Sequence, residues 1–126
     1  MQKKIKLTRN DEKIYIEVVV KGKINYYYEL RLHERDLGKI KTFEGDNFYD
    51  NDDTHVMPDD AKANIERTIL FDIMFNSKRI PPLEDEIANF ELKFFQGKDT
   101  IDTLSFSEKL NGDKQSKIAF IKFTEA

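Results

Sequence analysis

The sequence predicts an α+β fold, in which one antiparallel sheet of five to six strands has a single helix packed on one face. Three observations predict it: an alternating pair of segments typical of a β-hairpin, one long helical pattern, and three alternating segments typical of a β-meander. The bounds are 13–20 and 24–33 for the hairpin, 59–76 for the helix, and 88–96, 100–107 and 117–124 for the meander. We expect residues 1–126 to form one α+β domain whose second sheet face is solvated, curled shut or occupied by a partner.

The predicted hairpin has the clearest alternation in the chain. Apolar residues recur at every second position on both sides of Lys21-Gly22-Lys23, which has the composition of a tight turn. Many of these residues are β-branched, which favours strands. A short strand over residues 3–8 is predicted before the hairpin, because Ile5 and Leu7 alternate with lysines.

The predicted helix is central to this interpretation. Asp59 or Asp60 can accept hydrogen bonds from its first free N–H groups and face the positive end of its dipole. Ile65, Ile69 and Ile73 recur at four-residue spacing and would share one helical face. We therefore expect that face to pack on the sheet.

Residues 44–58 are predicted to form an acidic loop. Seven acids and no base lie between Glu44 and Asp60, and Asn and Asp favour local hydrogen bonds over strand ladders. Counted from Asp50, however, the sixth position is His55 where an EF-hand needs Gly, and the twelfth is Ala61 where it needs Glu. We expect no metal and no cofactor, with a divalent-metal module on 44–60 as an alternative.

The segment 83–95 fits two patterns. Leu83, Ile87, Phe90 and Phe94 would share a helical face, whereas Phe90, Leu92 and Phe94 alternate as in a strand. We favour a strand from about residue 88, because it leads into a Gln-Gly-Lys-Asp turn and a second strand.

Composition excludes several classes of function. The 126 residues contain no cysteine, which rules out zinc–thiolate sites, thiol catalysis and disulfides. A formal charge of −3 argues against nucleic-acid binding, which usually needs a basic face. No apolar signal segment or membrane span is visible, and we expect a cytoplasmic protein.

Recognisable catalytic patterns are missing. His33 and His55 are the two histidines, and neither lies in a familiar catalytic frame. No serine lies in a Gly-x-Ser-x-Gly elbow, and the five glycines form no phosphate-binding loop. We therefore predict that the protein is not an enzyme.

Charge and aromatic residues together point to a protein-binding surface. Tyr15 and Tyr27 fall on the hairpin side opposite its aliphatic face, and tyrosine and arginine are enriched at protein interfaces. The loop carboxylates would complement a basic partner and speed its association. The predicted partner-binding residues are Glu44, Asp46, Asp50, Asp52, Asp53, Tyr15, Tyr27 and Arg31.

These patterns favour a small acidic protein-binding module, a bacterial or phage-borne cytoplasmic inhibitor of the toxin-immunity or anti-defence type that neutralises a basic protein. The first alternative is a small-ligand-binding or enzymatic pocket between the curled sheet and the Phe-rich helix. The second is the divalent-metal module on the acidic loop.

Overall fold

The computed structural model describes residues 1–33, 40–47, 53–79, 81 and 86–126. Over these ranges the chain consists almost wholly of β-strands, so the predicted α+β class is wrong. The strands are β1 (Gln2–Leu7), β2 (Lys13–Lys21), β3 (Ile24–His33), β4 (Ile40–Asp46), β5 (Thr54–Asp60), β6 (Thr68–Ser77), β7 (Ile87–Gln96), β8 (Asp99–Lys109) and β9 (Gln115–Glu125). One helical turn, α1 (Ala61–Asn64), lies between β5 and β6, and no helix of the described ranges could span a membrane.

The strands form two sheets. The five-stranded sheet has the order β1-β9-β6-β3-β4, and the four-stranded sheet has the order β5-β2-β7-β8. Neighbouring strands are antiparallel, except that β1 runs parallel to β9. Each sheet is apolar on one face, and the two apolar faces contribute to one buried cluster.

Aromatic side chains join the two sheets across this core. Phe123 of β9 meets Phe94 of β7 edge to face with ring centroids 6.4 Å apart. At the other end of the strands, the centroids of Phe75 and Phe90 lie 5.0 Å apart. Side chains of both sheets thus pack against each other in one buried core.

The predicted helix 59–76 is wrong beyond its first turn. Asp60 does cap a helix, since its Oδ1 accepts a hydrogen bond from the Ala63 N–H at 3.1 Å. Glu66 then adopts a φ of 75° and the chain continues as strand β6. Ile69 and Ile73 are both buried, but as inward-facing residues of a strand.

The predicted hairpin is also wrong, although both of its segments are strands. β2 pairs with β5 and β7, whereas β3 pairs with β4 and β6. The turn between them carries the chain from one sheet to the other at Gly22, whose φ is 136°. A Cβ there would lie 3.1 Å from the Ala88 Cα, so this crossing packs tightly against β7.

The predicted meander is correct for two of its three strands. β7 and β8 form an antiparallel pair through the predicted turn, which also confirms the strand from residue 88. β9 crosses to the five-stranded sheet and lies between β1 and β6. β1 confirms the predicted first strand, apart from a shift of one residue at each end.

The predicted acidic loop 44–58 contains two unpredicted strand segments. Glu44 and Asp46 belong to β4, and residues 54–58 belong to β5. Pro58, which has no N–H to donate, lies in an edge strand at the point where the pairing with β2 shifts register, between Val56 and Asp60. Edge strands and bulges are positions at which sheets tolerate proline.

Candidate protein-binding surface

The outer face of the five-stranded sheet, the side directed away from the core, brings four of the predicted residues together. Tyr27 and Arg31 lie on this face, four residues apart along β3. On β4, Asp46 is directly opposite Tyr27, and Glu44 is directly opposite Glu29. Directly opposed side chains lie about 5 Å apart, so the pairing of β3 with β4 places these groups on one surface.

Four polar side chains of this face, Tyr27, Glu29, Arg31 and Asp72, form what we call the polar cluster. The Tyr27 hydroxyl donates to Glu29 Oε1 at 3.0 Å, and Arg31 Nε donates to Glu29 Oε2 at 2.7 Å. Arg31 Nη2 also lies 3.6 Å from Asp72 Oδ2 on β6. Each member thus restrains another, and the cluster bridges two neighbouring strands.

The cluster shifts the ionisation of its own members. Burial and the hydrogen bond to Glu29 raise the pKa of Tyr27 to about 12, and the charges of Glu29 and Glu44 add to the effect. Hydrogen bonds from Arg31 and Tyr27 hold the pKa of Glu29 below its ordinary value. Near neutral pH the cluster therefore combines a neutral phenol, an ionised carboxylate and a charged guanidinium.

What we call the apolar stripe consists of Leu70 and Met74 on β6 with Ile118 and Phe120 on β9. Asp72 of the polar cluster lies between the two β6 residues and is directly opposite Ile118. Phe120 is directly opposite Leu70. Phe120 is 48 % exposed, Ile118 43 % and Met74 38 %, and Leu70 is half-buried. A solvated sheet face is usually polar, so adjoining exposed apolar side chains make this face a candidate interaction surface.

The remaining predicted residues do not join this face. Tyr15 lies on β2 in the four-stranded sheet, opposite Phe95. Asp53 precedes β5, and its carbonyl accepts a hydrogen bond from the Val18 N–H at 2.9 Å. Asp50 and Asp52 lie outside the described residues.

The sequence interpretation missed Asp72 and the apolar stripe. Leu70, Asp72 and Met74 were assigned to a helix, which hid their common direction. Only part of the signal is present in the sequence, because Thr68, Asp72 and Asn76 alternate with the buried residues Ile69, Phe71, Ile73 and Phe75, but the apolar Leu70 and Met74 interrupt the polar side.

The structure gives less support to the two alternative functions, a pocket between sheet and helix and a metal site. The predicted pocket between sheet and helix has no counterpart, because the helix it needs is strand β6. Within the described ranges, no three His, Asp or Glu side chains converge as metal ligands would. Two shallow grooves lie on or beside the outer face, one of about 430 Å³ next to Phe120 and Lys122 and one of about 410 Å³ next to Tyr27 and Met74.

Comparisons with protein-family models, with curated proteins and with solved structures found no match to this chain. The functional argument therefore depends on the surface chemistry alone.

Proposed function

We propose that the protein is a small cytoplasmic protein-binding module that neutralises a basic partner, as inhibitors of the toxin-immunity or anti-defence type do. The partner would dock on the outer face of the five-stranded sheet. The observation that carries the proposal is the contact of an exposed apolar stripe with an acidic, hydrogen-bonded polar cluster on that face.

The stripe supplies the chemistry of an interface centre. Met74 and Phe120 are residue types enriched where partner proteins exclude water, and both are more than a third exposed in the free chain. Burying apolar surface contributes about 25 cal/mol per Å² to association before the costs of ordering are subtracted. We therefore expect Phe120 to be among the residues whose truncation weakens binding most.

The polar cluster would fix the orientation in which a partner binds. Glu29 is held by Tyr27 from one side and by Arg31 from the other, so its carboxylate is ordered before a partner arrives. A group that is already ordered loses less conformational entropy on binding than a mobile one. This supports a surface that recognises a partner with little rearrangement.

The charge of the cluster and its border supports the proposal of a basic partner. Glu29, Glu44, Asp46 and Asp72 lie on this part of the face with Arg31. Lysine or arginine side chains of a partner would be attracted over about 8 Å at physiological salt, which speeds association.

The test is to capture the partner from source cells with the tagged protein, purify it and measure binding rates. We expect a partner with net positive charge, whose association rate falls steeply as salt rises. The double variant Glu44→Gln/Asp46→Asn should slow association several-fold at low salt. Phe120→Ser should raise the dissociation rate about tenfold or more.

Ile87→Ser is the matched control, because Ile87 is 49 % exposed on β7 of the other sheet. It should bind like the unaltered protein. If Phe120→Ser and Glu44→Gln/Asp46→Asn also bind at unaltered rates, the partner uses another surface and the proposal is wrong.

A further inference from the structure

The charges on the outer face are segregated toward two ends. The basic end has Lys4 and Lys6 on β1 and Lys122 on β9, all exposed, and Lys4 is directly opposite Lys122. One acid approaches it, since Glu66 Oε2 lies 3.2 Å from Lys122 Nζ. The described residues therefore leave this end with more positive than negative charge.

The acidic end lies across the sheet on β6, β3 and β4. Asp72, Glu29 and Glu44 form one row of directly opposed residues, and Asp46 follows on β4. Arg31 contacts Glu29 and Asp72. Because this end has four acids against that one arginine among the residues named, its net charge is negative. The apolar stripe lies between Lys122 and the acids of β3 and β4. Asp72 is the member of the acidic end that lies within it, between Leu70 and Met74.

We propose that this face binds a second copy of the chain. In a two-fold dimer the outer faces of the two copies would stack on each other. The symmetry axis would lie in the plane of that interface, perpendicular to the line that joins the two charged ends of the face. That rotation places the lysines of each copy over the carboxylates of the other and the two apolar stripes against each other. Each favourable contact then occurs twice, as in any isologous interface.

A second copy fits this face more completely than a uniformly basic protein does. A basic protein complements Glu29, Glu44, Asp46 and Asp72 but meets like charge at the lysines. A second copy complements both ends, and like-charge contacts are costly at interfaces. The inference uses the basic end, which the proposed function leaves unused, and it requires no foreign partner.

The available area indicates a dimer that dissociates on dilution. Five strands about 4.8 Å apart and about 27 Å long give the face on the order of 650 Å² per copy. Standard interfaces bury about 800 Å² per partner, and smaller ones are commonly transient. The foreign partner of the proposed function would compete with the second copy for the acidic end.

The experiment is sedimentation of the purified protein over a wide concentration range at low and high salt. We expect a reversible monomer–dimer equilibrium that weakens as salt rises. Lys4→Glu/Lys122→Glu reverses the net charge of the basic end, where Lys6 remains, and Glu44→Lys/Asp46→Lys reverses the net charge of the acidic end, where Glu29 and Asp72 remain. Each variant alone should dimerise roughly a hundredfold more weakly, whereas an equal mixture of the two should form a heterodimer.

Lys21→Glu/Lys98→Glu is the control, because Lys21 belongs to β2 and Lys98 to the β7–β8 turn, both parts of the four-stranded sheet. It should dimerise like the unaltered protein. A protein that stays monomeric at every concentration overturns the inference. So does a dimer that persists in both charge-reversed variants, or a mixture of folded variants that fails to associate.

A second measurement uses the absence of cysteine from the chain. A single Ile118→Cys should be joined to its copy by a bis-maleimide of about 10 Å, the usual distance between stacked sheets. Ile87→Cys should not be joined, and equal yields for the two positions would contradict the proposed interface. Because both experiments use the purified chain alone, their failure leaves the test with a foreign partner unaffected.

Discussion

Gly45 makes room for a buried tyrosine at the edge of the five-stranded sheet. It lies opposite Tyr28 in the β3–β4 pair, and a Cβ at position 45 would lie 2.3 Å from Tyr28 Cζ and Oη. The Tyr28 ring is fully buried, and its hydroxyl lies 2.7 Å from His55 Nε2 on β5. The ring thereby connects the edge strands of the two sheets, and glycine is required for space.

We predict that Gly45→Ala lowers the free energy of unfolding by about 1–3 kcal/mol, because the added methyl group displaces the Tyr28 ring from a packed site. Urea denaturation measures the change. Tyr28→Phe keeps the ring and removes its hydroxyl, and should cost about 1 kcal/mol. Thr42→Ala, an exposed change on the same strand, should cost less than about 0.5 kcal/mol. A Gly45→Ala protein as stable as Thr42→Ala would contradict this packing.

The pKa of Tyr27 predicts a pH dependence of stability. The folded state raises this pKa from 10.0 to about 12, so it favours the protonated phenol more than the unfolded chain does. The contribution is fully present below pH 10 and is lost as pH rises toward 12. Replacing Glu29 with Gln should lower the pKa of Tyr27, while burial, its largest cause, still holds it above 10.

Carbon-13 NMR titration of the Tyr27 ring measures this pKa directly. Glu17→Gln is the control, because Glu17 lies on β2 in the other sheet. It should leave the Tyr27 titration unchanged. A Tyr27 pKa that does not respond to Glu29→Gln would show that the carboxylate has no influence on the phenol.

At the scale of elements, β6 shows why one apolar pattern can be assigned to two structures. Ile69 and Ile73 are four residues apart, a spacing that puts them on one face of either a helix or a strand. Phe71, midway between them, distinguishes the two: it would lie on the far side of a helix, yet it shares their face in β6. Local spacing of the isoleucines alone could not decide between them.

We predict that Ile73→Ala and Phe71→Ala each destabilise the protein by about 2–5 kcal/mol, because both side chains are fully buried. Met74→Ala should cost less than about 1 kcal/mol, since Met74 is 38 % exposed on the opposite face. Chemical denaturation of the three variants compares them. If β6 were a helix, Phe71→Ala would lower the free energy of unfolding least among the three variants. That result would contradict the assignment of residues 68–77 to a strand.

At the scale of the whole molecule, the sequence predicted segments better than it predicted their partners. Alternation and turn composition are local, and they placed strands near β1, β2, β3, β7, β8 and β9. Pairing depends on contacts between distant segments, so the same patterns did not separate β2 from β3 into two sheets. Tyr27, Arg31, Glu44 and Asp46 were singled out by residue type, but their common surface follows from the pairing of β3 with β4.

The parallel pairing of β1 with β9 has a consequence during synthesis. Arg9, just after β1, donates a hydrogen bond to Glu125 at the end of β9, and the two residues are 116 positions apart in the sequence. At about 5–20 residues per second, β1 therefore waits roughly 6–25 s for its partner strand to be made. Until then Ile5 and Leu7, fully buried in the finished fold, lack the strand that pairs with β1. Lys4 and Lys6 alternate with them, and charges in such positions oppose edge-to-edge aggregation. We therefore expect these two lysines to oppose aggregation of the nascent chain before they contribute to any surface of the folded one.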